Sequence, residues 1–447
     1  MGNASNDESI SNHQPLESIR ILAVEQMQSL PFATQVLARL GADVLKVEHP
    51  TRGDLGRSSL PSVEDSDGNQ MGATFIRNNF SKRSIGIDLK HEQGQDLFKR
   101  LVPKFDIVAE NFKPGTMAKF GLDFESLSAL NESLIYLSIS GFGNTVNSPY
   151  QQWPAFAPIA EAMSGMYTFN RPIDEDIQVS PAGALGDTGT GLFAVIGLLA
   201  ALRHRDITGI GQYIDLSMFD AMVAFADIVP NYFSMGHDPR SPSLLINHGF
   251  KIATGEIVIQ IGREHQFQRF AELLNRPEWL EDERFSSRRG WVENIETIRI
   301  AVREWAGDRS PVVVCGFLAN AGIAAGPSFE ASDLIKDPHV KNRNMLVEIS
   351  TQKGNKVLAA GNPIKMSRLA DASDTPPPVL GQHTSEVLSE ELSMSENEID
   401  FYFYDQEMLK INYAIDITNK TFFLTEENQK KIDTIRGAKQ RLKVKYT

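Results

Sequence analysis

Residues 183–191 read Gly-Ala-Leu-Gly-Asp-Thr-Gly-Thr-Gly, so that one carboxylate, Asp187, sits among four glycines directly before an apolar run. Glycine lets a bulky ligand come close to the backbone. A helix starting after this segment offers amide donors and partial positive charge, both of which keep a carboxylate ionised. An ionised, reachable carboxylate beside amide donors can act as a nucleophile with its own oxyanion site. The same residues also suit a plain role, an Asp at a helix start with glycines that only permit tight packing. The segment by itself leaves both roles open.

A second set of groups is dispersed but falls at related points. Arg52 and Arg57 follow one strand-like run, Arg77, Asn78, Asn79, Lys82 and Arg83 precede the next, and Lys113 and Lys119 follow Asn111-Phe112. Each can be a solvated surface charge. Together they can line one sheet edge and suit a phosphorylated ligand. Other chemistries lack their residues. The first strand–helix turn, Glu25–Pro31, has no glycine, which disfavours a dinucleotide held in the Rossmann manner, although Glu48 sits where a ribose-binding acid would. There is no G-x-x-x-x-G-K-[ST] loop, no H-x-x-x-H or H-E-x-x-H pair among the nine histidines, and no G-x-S-x-G elbow. The one cysteine, Cys315, lies in the apolar run VVVCGFLA and reads as a buried structural thiol; it excludes a disulfide framework and fits a reducing cytoplasm.

The elements that must position these groups alternate. Ile19–Glu25 is a short apolar strand; Leu30–Leu40 has helical spacing, with Pro31 in the first turn and Gly41 as the stop; Asp43–Glu48 is a second strand. The rhythm continues with strand Ser84–Leu89, a helix around Gln93–Leu101, strand Asp106–Ala109, a helix near Thr116–Leu130 and strand Leu134–Ser140. Residues 151–181 read as irregular, and an apolar helix follows from Gly191. Strand Gln212–Leu216 and helix Phe219–Ile228 come next. Such alternation predicts right-handed crossovers and a mostly parallel sheet, which binds ligands outside the carboxyl ends of its strands. The loops to inspect are therefore 26–30, 49–57, 110–115 and 141–149. Beyond about residue 231 the texture changes, with strand Glu256–Ile261 and a helix around Gln266–Leu274 suggesting a smaller unit.

The 447 residues suffice for two or three domains. The formal charge of −13 argues against general nucleic-acid binding. The longest strongly apolar stretch, Leu192–Leu202, is shorter than a membrane span needs and reads as a core helix, and the polar first fifteen residues lack the apolar stretch of a signal peptide. The tail from Leu409 to Thr447 holds nine Lys or Arg against four Asp or Glu, unlike the acidic body.

The chain resembles the class III CoA-transferases, the CaiB/BaiF type that includes formyl-CoA and carnitine CoA-transferases and the α-methylacyl-CoA racemases. The matching segments include LARLGADVLKVEHPTRGD, SKRSIGIDLK, DIVAENFKPGTMAKFGLDFESL, LIYLSISGFG, the Asp187 segment, LFAVIGLLAALRHRDITGIGQYIDLSMFDA, DPHVKNRNM and LGQHTSEVL, in nearly unbroken order from about Leu16 to Asp400. The resemblance implies an α/β fold: a Rossmann-like large domain with a mostly parallel sheet, a smaller α+β domain, and an interlocked homodimer. It implies a tail at 1–15, the large domain at 16–225, the small domain at 226–330, a return segment at 331–400 and a basic extension at 401–447. It places the catalytic aspartate at Asp187 and a glutamine lining the active site at Gln28. It places coenzyme A contacts on His49, Arg52, Asn78, Asn79, Phe80, Ser81, Asn111, Phe112, Lys113 and Lys119. His49 stands where relatives often carry Arg, with Arg52 three residues on. The racemase histidine aligns with Phe156 and its neighbouring Asp with Ala157, neither of which moves a proton; Glu161 is a substitute for the acid that orients the nucleophile in some transferases.

The expected function is CoA transfer from an acyl-CoA donor to a carboxylic acid acceptor, through an aspartyl mixed anhydride and an enzyme–CoA thioester. The alternatives are an intramolecular acyl-CoA transferase or isomerase, an α-methylacyl-CoA racemase, and a non-catalytic CoA-binding protein. Coenzyme A enters as part of the substrate; no permanently bound cofactor, metal, nucleic acid or membrane is expected, and a cytoplasmic homodimer is.

Overall fold

The computed structural model describes residues 13–403 except 146, 170, 172–174, 180–183, 242–243, 352 and 372; the basic extension beyond 403 and most of the 1–15 segment lie outside the described residues. Two compact units form. One takes the chain up to Ala160, Ala182–Met222 and everything from Glu348 on; the other takes Glu161–Pro181 and Val223–Val347.

The first unit is built on β1 (Arg20–Val24), β2 (Asp43–Glu48), β3 (Arg83–Gly86), β4 (Ile107–Glu110), β5 (Ile135–Ser140) and β6 (Tyr213–Ser217). They lie in the order β3-β2-β1-β4-β5-β6, and every pairing is parallel. This is the order of the doubly wound dinucleotide-binding fold. Helices α1 (Ser29–Arg39), α2 (Ala73–Asn79), α3 (Glu92–Leu101) and α4 (Leu185–Thr208) supply its main crossovers. Strands covered on both faces read as continuous apolar runs, as in β1, where Ile21, Leu22 and Ala23 have no exposure. Each such Leu or Ile contributes about 1.5–3 kcal/mol. Leu22, Leu45, Val108 and Tyr136 face one core with α3, and Ile21, Val44, Ile107 and Ile135 face the other with α1 and α4.

Residues 383–402 close the β3 edge. His383 Nδ1 accepts from Ser84 N at 3.1 Å, Thr384 Oγ1 from Gly86 N at 3.1 Å, and Tyr402 donates to Gly86 O at 2.6 Å. Val387, Leu388 and Tyr402 join the α3-side core.

Among the elements that depart from the sequence reading are two helices. The helix expected over 116–130 is two short helices, Thr116–Lys119 and Phe124–Ser128, because Gly121 takes φ 63° between them and Asp123 caps the second through Ser126 N. The helix expected from Gly191 begins at Leu185, making α4 24 residues long. By length and composition α4 can cross a membrane, but half of its apolar window is buried in the fold.

The second unit carries an antiparallel sheet of β7 (Ile246–Ile252), β8 (Gly255–Ile261) and β9 (Ala324–Pro327) in the order β9-β8-β7. Its core is aromatic: Phe267 stacks on Trp291 at 4.5 Å between centroids, and Trp291 Nε1 donates to Phe285 O at 2.7 Å. Cys315 is buried there with Val314 and Leu318, and burial raises its pKa.

Candidate active site

A cleft of about 290 Å³ opens at the carboxyl ends of β1, β2 and β3, lined among others by Glu25, Gln26, Glu48, His49, Arg52, Asp88, Lys90, Phe112, Lys113 and Phe120. The chain diverges there because β1 pairs with β2 on one side and β4 on the other. Asn111 bridges the split: its Oδ1 accepts from Gln26 N and its Nδ2 donates to Gln26 O, both at 2.9 Å.

The cleft floor is a buried charge network. Lys82 Nζ donates to Glu25 Oε1 at 2.7 Å, to Thr34 Oγ1 at 2.7 Å and to Pro31 O at 3.0 Å. Lys46 Nζ lies 2.7 Å from Asp54 Oδ2 and 3.4 Å from Glu25 Oε1. Arg57 grips Glu48 with Nε at 2.8 Å and Nη2 at 2.7 Å. Three cations thus meet three carboxylates, so the floor is neutral. Burial pushes Lys82 down to about 8 although Glu25 pulls the other way. Burial lifts Glu25, but Lys46 and Lys82 outweigh it and hold its pKa below the usual range. The network fixes the first strand–helix turn, because Asp54 Oδ1 accepts Met27 N at 2.8 Å, and Met27 carries φ 64°.

This corrects the reading of the basic set as ligand-facing. Arg57 pairs with Glu48, Lys82 with Glu25, and Arg83 with Asp43 at 2.6 Å. Glu48 lines the cleft but is spent on Arg57, Ser84 Oγ and Asp54 N rather than offered to a ribose. The expected contacts divide. His49, Arg52, Phe112 and Lys113 line the cleft, whereas Asn78, Asn79, Phe80, Ser81, Asn111 and Lys119 are outside its lining. Asn78 and Asn79 donate to Thr74 O and Phe75 O within α2, Phe80 is buried under the Arg39 guanidinium, and Ser81 exchanges hydrogen bonds with Thr375. Asp88, Lys90, Thr116 and Phe120 are lining residues that the sequence reading missed. Running β3 on to Leu89 hid the loop after it; the strand ends at Gly86.

His49 Nδ1 accepts from Thr51 N at 3.2 Å, which leaves its proton on Nε2, 3.5 Å from Asp88 Oδ2. Burial lowers its pKa, Asp88 opposes this, and Arg52 and Lys90 lower it further, so the ring is neutral at pH 7. On the far side of the switch point Glu110 is buried and accepts from Phe112 N at 2.7 Å and from the Ser138 hydroxyl. Burial drives its pKa to about 7 despite those two donors, with Asp215 adding to the rise.

Asp187 stands in the first turn of α4, half-buried. Ala184, at φ 54°, accepts from the amides of Asp187 at 3.0 Å and Thr188 at 3.1 Å. The glycines on either side are used in packing. A Cβ on Gly186 would lie 2.7 Å from Ala157 Cα, and one on Gly191 would lie 2.9 Å from Ser29 O. Gly191 therefore abuts the start of α1. Asp187, four residues earlier, is about 6 Å from it along the same helix face. Gln28, the residue before α1, is buried at 7% exposure and accepts through Oε1 from Arg77 Nη2. The amides of 189–191 lie inside the helical ladder, and those of Asp187 and Thr188 are taken by Ala184 O. Glu161 accepts a hydrogen bond from the Tyr167 hydroxyl.

Residues 16–384 match CoA-transferase family III. The chain belongs to CoA-transferase family III. It is an enzyme that moves coenzyme A from an acyl-CoA to a carboxylic acid, with CoA as part of the substrate. It is 34% identical over 385 residues to a succinyl-CoA:mesaconate CoA-transferase of Haloarcula hispanica, covering 84% of this chain and 96% of that one. It is 34% identical over 389 residues to a succinate–glutarate CoA-transferase of Agrobacterium fabrum (84% and 95% covered), and 31% identical over 394 residues to a succinyl-CoA:glutarate CoA-transferase of Mus musculus (87% and 88%). Among solved structures, a CaiB/BaiF family protein from Brucella suis superposes with a TM-score of 0.75 at 32% identity, covering 85% of this chain and 99% of that one.

Proposed function

We propose that the chain transfers CoA between dicarboxylic acids, with Asp187 as the covalent relay. One Asp187 carboxylate oxygen attacks the donor thioester carbonyl; the C–S bond breaks, CoA leaves as thiolate, and a mixed anhydride forms. The thiolate attacks Asp187 Cγ, the Cγ–O bond to the donor acyl group breaks, and the donor acid departs as carboxylate. The enzyme–CoA thioester then meets the acceptor carboxylate, and the two steps run in reverse. Holding CoA throughout avoids its re-binding between steps.

The observation that carries this reading is the seating of α4. Gly191 against Ser29 O supports a place for Asp187, one helical turn earlier, toward the start of α1, which Gln28 precedes. The first-turn position favours an ionised carboxylate. The nucleotide end of CoA occupies the cleft, with His49, Arg52, Lys90 and Lys113 toward its phosphates and Phe112 and Phe120 offering aromatic faces to the base. The acids named for the relatives support the dicarboxylate class. No resident cofactor has a part in this sequence.

The test is mass spectrometry of the intact protein after mixing with an acyl-CoA. The wild type is expected to gain the mass of CoA less one water, and Asp187→Ala to gain nothing and to lose transfer while still binding CoA. Transfer at wild-type rate by Asp187→Ala would end the proposal.

A second copy of the chain is the proposed cover for the outer face of α4. Leu192, Ile196 and Leu199, spaced as one helical stripe, are exposed, Ile196 by 61%. Light scattering is expected to give twice the mass of one chain, and Ile196→Asp to give a monomer; a wild-type monomer would remove the cover.

A further inference from the structure

Arg77 differs from the cations around it. Arg57, Lys82 and Arg83 are each paired with a carboxylate, but Arg77 is exposed, and among the described residues no carboxylate lies within ion-pair distance of it. Its hydrogen bond goes to the neutral amide of Gln28. A guanidinium has five donors in a planar fork, which suits a carboxylate held by two bonds.

The side chain is presented from a fixed platform. Helix α2 buries Phe75 and Ile76, and a Cβ on Gly72, at its start, would lie 2.5 Å from both Gly56 O and Ser59 O. The bond to Gln28 also turns that amide. With Oε1 toward Arg77, the donating Nε2 is on the opposite side of the amide. Two contacts join three helix ends: Arg77 in the last turn of α2 reaches Gln28 before α1, and Gly191, one turn after Asp187 in α4, abuts Ser29 at the start of α1.

We propose that Arg77 is the specificity-determining residue of this enzyme, binding the second carboxylate of a dicarboxylic acyl group or acceptor while Asp187 works on the first. This rests on the placement of Gln28 and Asp187 at the reacting thioester proposed above. A substrate whose remote carboxylate reaches the fork replaces water on the guanidinium and lies across Gln28 toward Asp187. A monocarboxylic acid of the same length leaves the fork hydrated and forgoes that contact.

The experiment is calorimetric binding of succinyl-CoA, butyryl-CoA and free CoA to the non-reacting Asp187→Ala protein, alone and combined with Arg77→Met, Arg77→Gln or Arg77→Lys. The three ligands share CoA, and the two acyl groups share a four-carbon chain. Arg77→Met and Arg77→Gln are expected to weaken succinyl-CoA roughly 10–100-fold and to change butyryl-CoA and CoA by less than about threefold. Arg77→Lys, which keeps the charge without the fork, is expected to fall between. Equal weakening of both acyl-CoAs would make Arg77 a support for Gln28 and overturn the assignment, as would no change in any variant. Failure of CoA itself to bind the Asp187→Ala protein would overturn the proposed function and this inference together. Retained CoA binding with no preference for succinyl-CoA would overturn only the inference.

Discussion

Replacing Glu48 by Gln tests whether charge pairing holds the cleft floor. The Glu48 side chain has no exposed surface, and it accepts from Arg57 twice, from Ser84 Oγ at 2.7 Å and from Asp54 N at 2.9 Å. Burial raises its pKa, but Arg57, its hydrogen bonds and Lys46 overcome this and bring it to about 2 from 4.5. The difference is about 2.5 units, or about 3 kcal/mol at 1.36 kcal/mol per unit. A carboxylate with a depressed folded pKa stabilises fully above its unfolded value. That contribution is present above pH 4.5 and is lost as pH falls from 4.5 toward 2. Glu48→Gln leaves the Arg57 guanidinium buried without its counter-charge, for which breaking a buried pair costs about 3–5 kcal/mol. Amide hydrogen exchange of a peptide spanning 43–48 reads this locally, which matters in a chain of two units. Exchange there should quicken roughly 150-fold or more at pH 7, the equivalent of about 3 kcal/mol. The gap from wild type should narrow below pH 4.5, and adding Arg57→Met should recover part of the loss. A change under about 1 kcal/mol, or a gap that ignores pH, would refute the argument.

Two further outcomes are expected. Arg52→Ala with Lys113→Ala should weaken CoA binding in calorimetry, salt should weaken the wild type more than the double variant, and His49→Arg should tighten binding by placing permanent charge where a neutral ring now stands; identical salt dependence in both proteins would remove the pair from the site. Glu110 has a raised folded pKa, so wild-type stability should fall as pH rises from 4.5 through about 7 and then level off. Glu110→Gln should remove that fall, seen as a flat midpoint in urea across the window; a persisting slope would place the titration elsewhere.

The alternation of strands and helices was legible because doubly covered parallel strands are short apolar runs and the helices between them are amphipathic. The start of α4 was not. Glycine costs a helix about 0.5–1 kcal/mol per residue, so 183–191 reads as loop. Packing of Gly186 on Ala157 and Gly191 on Ser29 O supplies what propensity lacks, and neither contact has a local signal. The nearness of Asp187 to a helix start was legible from its setting, whereas the buried ions were hidden. Lys46 occupies a strand position like those of its apolar neighbours, and nothing in DVLKVE says that its amine ends between Glu25 and Asp54. Arg57, Lys82 and Arg83 looked like ligand contacts because their partners lie 9, 57 and 40 residues away. Distance along the chain also hid the bond of Arg77 to Gln28, 49 residues away.

The closure of β3 by a segment as late as Tyr402 sets a clock on biosynthesis. Gly86 O waits for a Tyr402 hydroxyl made 316 residues later. At about 5–20 residues per second, that is roughly 15–60 s of translation during which the edge has no permanent neighbour. Throughout that interval the growing chain carries an open strand of the kind that other chains can extend. The β3 edge therefore gains this partner only after Tyr402 has been made, well after the Asp187 helix, and a message cut short before the codon for Tyr402 would leave Gly86 O without that hydroxyl.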